Sequence, residues 1–423
     1  MIHIVKADDT LYKIANMHNT TIEKLVEANG LTRPNDLVVG QSIFVPTDMP
    51  TTYTVVRGDT LYAIARRFGI TLNELITANP QITNPNLIQI GQVINIPNSK
   101  PFIEVNGYAI ANISTTTLQR TLPYLTYLSI FSYQAKSDGS LYILYENDLI
   151  AQSRNASVAP IMVVTNISTE GGFDSDLAST ILNSEEIQNT LINNIISTLT
   201  AKNYYGVDID FEYLYPQDKD KYIEFLRKLK ARLTPLGKTL SVAVAPKYRD
   251  NQSGILYEAH DYKQIGEIAD RVIIMTYEWG YVYGEPMAIS PMSEVEAVIS
   301  YAVTRIPSPK ILMGMPNYAY DWTLPYTPGS SATTLTNTRA LELAIENNAM
   351  ILFDQKAQAP YFNYIDTSGK NHVVWFDDAR SIASRLSLVS KYNLAGVSYW
   401  TINNFDATNW SVLTSMYQVK KVH

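Results

Sequence analysis

The chain has no cysteine in its 423 residues, which excludes disulfide stapling, thiolate zinc ligation and a cysteine nucleophile. The same absence says little about compartment. Long apolar runs are missing too. Nowhere do roughly 18 apolar residues follow one another, so no membrane-spanning helix and no membrane insertion are expected. The first residues, Met1-Ile2-His3-Ile4-Val5-Lys6, run straight into patterned sequence without the basic stretch and apolar core of a secretory signal, so export by that route is not expected. Positive charge is sparse: Lys and Arg number 33 against 40 Asp and Glu, for a net charge of −7. With no basic run among them, nucleic acid is not an expected partner.

What remains is an ordinary soluble composition, 46% hydrophobic and 17% charged, in a chain long enough for two or three domains. Tyrosine stands out, at 29 against 11 Phe and 5 Trp. Its ring stacks on sugars while its hydroxyl stays available, although half-buried packing uses tyrosine as well.

The first hundred residues repeat. A shift of 50 positions lays Val5, Asp9-Thr10-Leu11-Tyr12 and Ile14-Ala15 on Val55, Asp59-Thr60-Leu61-Tyr62 and Ile64-Ala65. The match continues through Asn29 and Asn79. After a slip of one residue, Gly40-Gln41 and Pro46 fall on Gly91-Gln92 and Pro97. Each unit reads strand, helix, helix, strand: Asp-Thr opens the first helix as an N-cap, and in the second copy Gly69 stops it. The units resemble the lysin motif, a small βααβ module that grips N-acetylglucosamine-containing glycans. The resemblance implies sugar contacts from Asp9, Thr10 and Tyr12 in the first copy and from Gly58, Asp59, Thr60 and Tyr62 in the second. The first copy departs from the pattern, with Asp8 where Gly58 stands in the second. Two weak modules in tandem gain affinity for a polymer through effective concentration.

Asn98-Ser99-Lys100-Pro101 reads as a linker. Beyond it, eight strand candidates alternate with amphipathic helices: Val105–Ile113, Leu125–Tyr133, Ala159–Asn166, Val207–Glu212, Leu240–Ala245, Val272–Tyr277, Ile311–Asn317 and Gly396–Thr401. That alternation predicts a (β/α)8 TIM barrel. A long gap before the last strand, about residues 323–374, predicts a small inserted α+β lobe. The expected boundaries are 1–47 and 51–98 for the modules and 101–423 for the barrel.

The fourth candidate carries the chemistry. In Gly206-Val207-Asp208-Ile209-Asp210-Phe211-Glu212, period two sends Val207, Ile209 and Phe211 to the outer face and Asp208, Asp210 and Glu212 to the inner one. Successive acids then stand roughly 6–7 Å apart. Like charges on a buried face cannot all stay ionised cheaply, so at least one pKa should rise, as a general acid needs. Acids are 40 of 423 residues, and acids at three alternate positions arise by chance ~0.4 times in such a chain. A divalent-cation site or a satisfied polar network therefore stays open from these residues alone. No glycine-punctuated calcium loop and no histidine lies near, and neither a metal nor a cofactor is expected. Tyr277-Glu278, Tyr318 to Trp322 and Trp400 fall at the ends of later strands, where such barrels keep their chemistry.

From residue 101 onward the chain is similar to glycoside hydrolase family 18. The motifs are Gly206-Val207-Asp208-Ile209-Asp210-Phe211-Glu212, Met275-Thr276-Tyr277-Glu278 and Ser398-Tyr399-Trp400. With two lysin motifs in front, the architecture resembles the N-acetylglucosaminidases of Bacillus-type spores. Glu258-Ala259-His260-Asp261-Tyr262 and Pro286-Met287-Ala288-Ile289-Ser290-Pro291 strengthen that match. The resemblance implies a retaining, substrate-assisted mechanism, in which the substrate's own 2-acetamido group replaces a carboxylate nucleophile. Glu212 would be the acid, Asp210 would orient the acetamido group, Asp208 would share a proton with Asp210, and Tyr277 would bind the acetamido oxygen. Trp400 would floor the sugar site, with Glu278, Tyr108, Tyr318 and Asp321 expected as further substrate contacts. Two departures are Tyr205 and Glu278, where the family usually has aspartates. The resemblance further implies a monomer associated with the spore coat or cortex, acting on peptidoglycan or another N-acetylglucosamine polymer. A chitinase or chito-oligosaccharidase, and a catalytically silent glycan-binding wall protein, are the alternatives.

Overall fold

The computed structural model describes residues 1–47, 51–68, 70–97, 100–146 and 148–422. Gly69, expected to stop a helix, and Asn98-Ser99 of the expected linker lie outside the described residues.

Each repeat forms the expected βααβ unit. In the first, strands β1 (Ile2–Ile4) and β2 (Ser42–Phe44) pair antiparallel around helices Leu11–Met17 and Ile22–Asn29. In the second, β3 (Thr52–Thr54) and β4 (Val93–Asn95) enclose helices Leu61–Arg67 and Leu72–Thr77. All four helices open on a threonine cap: the side chains of Thr10, Thr21, Thr60 and Thr71 accept a hydrogen bond from the amide three residues on. The repeated asparagine has a structural task. Buried Asn29 donates to the Leu25 carbonyl (2.8 Å) and the Phe44 carbonyl (2.7 Å) and accepts from the Phe44 amide (2.7 Å). Asn79 ties Leu75 and Asn95 in the same way.

The rest of the chain closes a barrel. Its first seven strands are β5 (Phe102–Ile110), β6 (Tyr127–Gln134), β7 (Ala159–Thr165), β8 (Gly206–Asp210), β9 (Thr239–Val244), β10 (Arg271–Ile274) and β11 (Ile311–Pro316). An insertion follows with β12 (Ala319–Leu324), β13 (Thr333–Leu335), β14 (Leu352–Asp354), β15 (Ala359–Ile365) and β16 (Asn371–Trp375). The eighth barrel strand, β17 (Gly396–Trp400), pairs in parallel with both β11 and β5 and closes the ring, while β18 (Gln418–Val419) adds to the start of β5. All eight strand candidates therefore form, each within a few residues of its expected span. The fourth stops short: its ladder ends at Asp210, two residues before Glu212. The insertion is an antiparallel sheet in the order β13-β12-β16-β15-β14, and it starts at Ala319, ahead of the expected 323.

Period-two alternation sorts the layers. Val207, Ile209 and Phe211 are fully buried in the outer layer, where they meet Tyr222, Phe225 and Leu226 of helix Lys219–Leu233. The opposite faces of the strands fill the barrel with Tyr108, Val163, Ile273 and Leu312. At the N-terminal end, Glu104 is clamped by Arg271 (2.6 and 2.7 Å) and by Lys420 of the C-terminal tail (2.9 Å). That network ties the ring shut, so the chemistry belongs at the other end.

The first module docks on the barrel. Ala28 and Phe44 join the barrel's outer core, and Val38 joins the core of the insertion with Ile351 and Phe376. The Val39 carbonyl accepts from the Ile351 amide (2.9 Å), the Gly40 carbonyl from Arg380 (3.2 Å) and Glu342 from the Thr32 hydroxyl (2.9 Å). The second module has a core of its own, built from Val55, Leu61, Ile64, Leu75, Ile94 and Ile96.

Candidate active site

A cleft of about 620 Å³ opens at the C-terminal ends of the strands. Asp210 and Glu212 line it, together with Tyr108, Tyr277, Glu278 and Trp400. These are six of the nine residues expected to catalyse or bind substrate in the barrel. Asp208 lies one pleat deeper, fully buried, with Oδ2 accepting from the Tyr108 hydroxyl at 2.7 Å.

Burial sets the charges. It raises the Asp208 pKa to about 6, against the hydrogen bonds from Tyr108 and Ser241 that favour the ionised form. Asp210 is pushed well above the ordinary carboxylate range by burial first, then by the charges of Glu212 and Asp208. Oδ1 of Asp208 and Oδ1 of Asp210 are both buried without a hydrogen-bond partner among the described residues. Two buried carboxyls on one face of a strand cannot both ionise cheaply, and the charge of Asp208 raises Asp210 accordingly. Glu212 rises to about 7, again by burial first and then by the charge of Glu278, so this acid stays protonated up to neutral pH.

Glu278 owes its place to two tyrosines. Tyr318 and Tyr320 both donate to Oε1, Tyr320 at 3.0 Å. Tyr318, expected as a substrate contact, thus stands behind Glu278 and does not line the cleft. Trp400 is held edge-on by Tyr108 at 5.5 Å and by Phe131 at 4.8 Å between ring centroids. The peptide bonds after Phe131 and Trp400 are cis.

Asp321 requires a correction. Along β12 the side chains alternate, so Tyr320 and Trp322 share the face toward Tyr277 and Trp400 while Asp321 takes the opposite one. There Asp321 accepts from Tyr364 (2.7 Å) and pairs with His372 (2.8 Å), a structural clamp inside the insertion and not part of the cleft wall. The expectation placed Asp321 at the end of the seventh strand; the chain forms a further strand there, and its register decided the face.

Several cleft residues had no motif to announce them: Phe131, Phe173, Tyr213, Tyr257, Trp279 and Tyr281. The high tyrosine content was the only trace of Tyr213, Tyr257 and Tyr281 in the sequence. In the modules, Asp9 accepts from the Lys6 amide (2.8 Å) and pairs with His3 (3.0 Å), and Asp59 accepts from the Val56 amide (2.9 Å) and the Tyr53 hydroxyl (2.8 Å). Thr10 and Thr60 cap helices, so these residues are engaged in their own turns. Gly58 has φ +93°, and Asp8 at the matching position adopts the same left-handed backbone with φ +64°, so this departure keeps the turn. Tyr12 and Tyr62 are 66% and 65% exposed and offer open rings for stacking.

The model of the glycosyl hydrolases family 18 matches residues 108–404, and the LysM domain model matches 3–46 and 53–97. The chain belongs to glycosyl hydrolase family 18. It is a glycoside hydrolase whose lysin motifs and barrel bind N-acetylglucosamine-containing glycans. Over 428 residues, 99% of each chain, this family member is 40% identical to the cortical fragment-lytic enzyme of Bacillus subtilis. It is 33% identical over 427 residues, 100% of each chain, to a putative sporulation-specific glycosylase of the same organism. The crystal structure of the Bacillus megaterium spore cortex-lytic enzyme SleL superposes with a TM-score of 0.86 at 40% identity, covering 99% of this chain and 98% of that one. No described helix is long and apolar enough to cross a membrane.

Proposed function

We propose that this family 18 enzyme is an N-acetylglucosaminidase that cleaves spore-cortex peptidoglycan or its fragments with retention, using the substrate's acetamido group as nucleophile. One observation carries the mechanism: Glu212, raised to about 7, lines the cleft beside Asp210, whose Oδ1 has no partner among the described residues. The full-length likeness to cortical fragment-lytic enzymes supports the choice of polymer. On this reading, residues 1–47 and 51–98 grip the glycan and 101–423 cut it, as a monomer at the spore coat or cortex.

Glu212 gives its proton to the glycosidic oxygen, and the bond from that oxygen to the anomeric carbon breaks. The acetamido carbonyl oxygen closes on the same carbon, forming an oxazolinium. Asp210 accepts a hydrogen bond from the acetamido N–H and offsets the positive charge, its own proton passing to Asp208. Tyr277 donates to the acetamido oxygen and Trp400 supports the sugar ring. Water then attacks the anomeric carbon, the Glu212 carboxylate takes its proton, and the oxazolinium opens with net retention.

The test is digestion of purified cortex fragments and, separately, of chitin oligomers, with mass spectrometry of the products. New N-acetylglucosamine reducing ends from cortex are expected, at a rate that falls as pH rises through about 7 because Glu212 must be protonated. Glu212→Gln should slow turnover by about 10²–10⁴-fold with cortex binding retained. Unchanged turnover in that variant would refute the acid assignment. Cleavage of chitin with cortex untouched would overturn the polymer.

A further inference from the structure

The Glu212 carboxyl accepts and donates no hydrogen bond among the described residues, although it lines an open cleft. Something else must aim it. The ladder between β7 and β8 ends at Thr165 opposite Asp210, so the next backbone groups of the fourth strand have no strand partner. Asn166 follows Thr165 directly and is fully buried. Its Oδ1 accepts from the Glu212 amide at 3.0 Å, and its Nδ2 donates to the Glu212 carbonyl at 2.9 Å. One side chain thus extends the sheet by the one rung that carries the acid. A second Nδ2 bond, to the Asp174 carbonyl at 3.0 Å, anchors the amide from the other side.

The preceding residue is held as firmly. The Phe211 ring is fully buried, stacked against Tyr222 and Phe225 with interplanar angles of 14° and 11°. Its carbonyl meets Nε2 of His260 at 3.0 Å. The ring's other nitrogen, Nδ1, accepts from the Ala245 amide at 3.0 Å, so the proton sits on Nε2 and is donated to Phe211. Burial pushes His260 down to about 4, which keeps it neutral and in this tautomer. Immediately after the acid, Tyr213 takes a left-handed backbone with φ +54°, turning the chain away.

We infer that Asn166 and His260 are positioning residues: one from the end of the third barrel strand, the other from the loop after the fifth, they fix both sides of the Glu212 peptide, and so aim a carboxyl that has no hydrogen bond of its own. The inference rests on Glu212 being the acid. A misplacement of about 1 Å at a reacting group can cost on the order of 10²-fold in rate, and a carboxyl on a loosened backbone also gains water.

The experiment measures kcat, KM, the pH profile, cortex binding and thermal midpoint for Asn166→Ala, His260→Asn, His260→Gln and Glu212→Gln on cortex fragments. Asn166→Ala and His260→Asn should lower kcat by roughly 10–100-fold with KM within about twofold. They should also move the alkaline limb of the profile to lower pH, as a better hydrated Glu212 loses its proton more readily. His260→Gln can still reach the Phe211 carbonyl with an amide N–H, and should recover kcat relative to His260→Asn. Unaltered kcat and limb in folded Asn166→Ala, or equal kcat for His260→Gln and His260→Asn, would overturn the proposal. Should Asn166→Ala fail to fold, the two His260 variants decide alone. If Glu212→Gln itself stays active, the acid reading fails; if it is inactive while the positioning variants behave as the parent, only this inference does.

Discussion

The two lysin-motif modules share one fold and differ in what surrounds them. Gly40 and Gly91 occupy the same turn and have the same φ of +86°. A Cβ on Gly91 would meet nothing within 4 Å, whereas on Gly40 it would lie 1.9 Å from the Ile351 carbonyl oxygen of the insertion. The neighbouring positions follow suit. Val38 and Phe44, buried against the insertion and the barrel, stand where the second module has exposed Gln89 and Asn95. Positions that build the module (Val5, Leu11, Ile14, Leu25, Ile43) match across the repeat, whereas the docking side chains Val38 and Phe44 do not. Val38 and Phe44 thus serve attachment of the unit, while its folding rests on the shared positions. The difference also separates the tasks: the first module is part of the barrel's body, and the second is held by its own core.

Substitutions made in pairs would break this contrast. The largest difference is expected for Phe44→Ala against Asn95→Ala. Truncating the buried ring should cost about 3–5 kcal/mol in urea denaturation, and the exposed amide within about 1 kcal/mol. Equal costs would mean that docking contributes nothing to stability. Next comes Gly40→Ala against Gly91→Ala. Both carry the left-handed penalty of about 1–2 kcal/mol, and only Gly40→Ala must also displace Ile351, adding about 1–3 kcal/mol and opening the seam to protease.

The smallest effect is one in which the modules should agree. Asp9 is held below the ordinary carboxylate range by the Lys6 amide first and then by His3; Asp59 is held low by the Val56 amide first and then by Tyr53. A carboxyl lowered in the folded state adds stability above its unfolded pKa and loses it as pH falls through the folded one. Acid titration of stability below pH about 4 should therefore flatten slightly in both Asp9→Asn and Asp59→Asn. A response in only one would show that the turns are not equivalent.

Much of this was legible in advance, for a local reason. The repeat, the eight strands and the carboxylate trio depend on neighbours a few positions apart, and period two alone sent Asp208, Asp210 and Glu212 inward. Asp321 was misplaced because the face it takes depends on pairing with Val374, 53 positions away, which no local pattern encodes. The contacts of Asn166 and His260 were not foreseen, although both residues fall in segments singled out by the sequence, because their partners are backbone groups, Glu212 and Phe211, which lie 46 and 49 positions off and leave no trace in side-chain type.

The sequence by itself determined the two modules, the barrel class and the inward face of the carboxylate trio, since each follows from propensity, periodicity or spacing along the chain. Tertiary structure alone decided which module docks, which tyrosines hold Glu278 and where the Glu212 carboxyl is aimed. Those outcomes depend on desolvation, on hydrogen bonds between distant segments and on a Cβ-sized gap at Gly40, quantities that exist only once the segments meet.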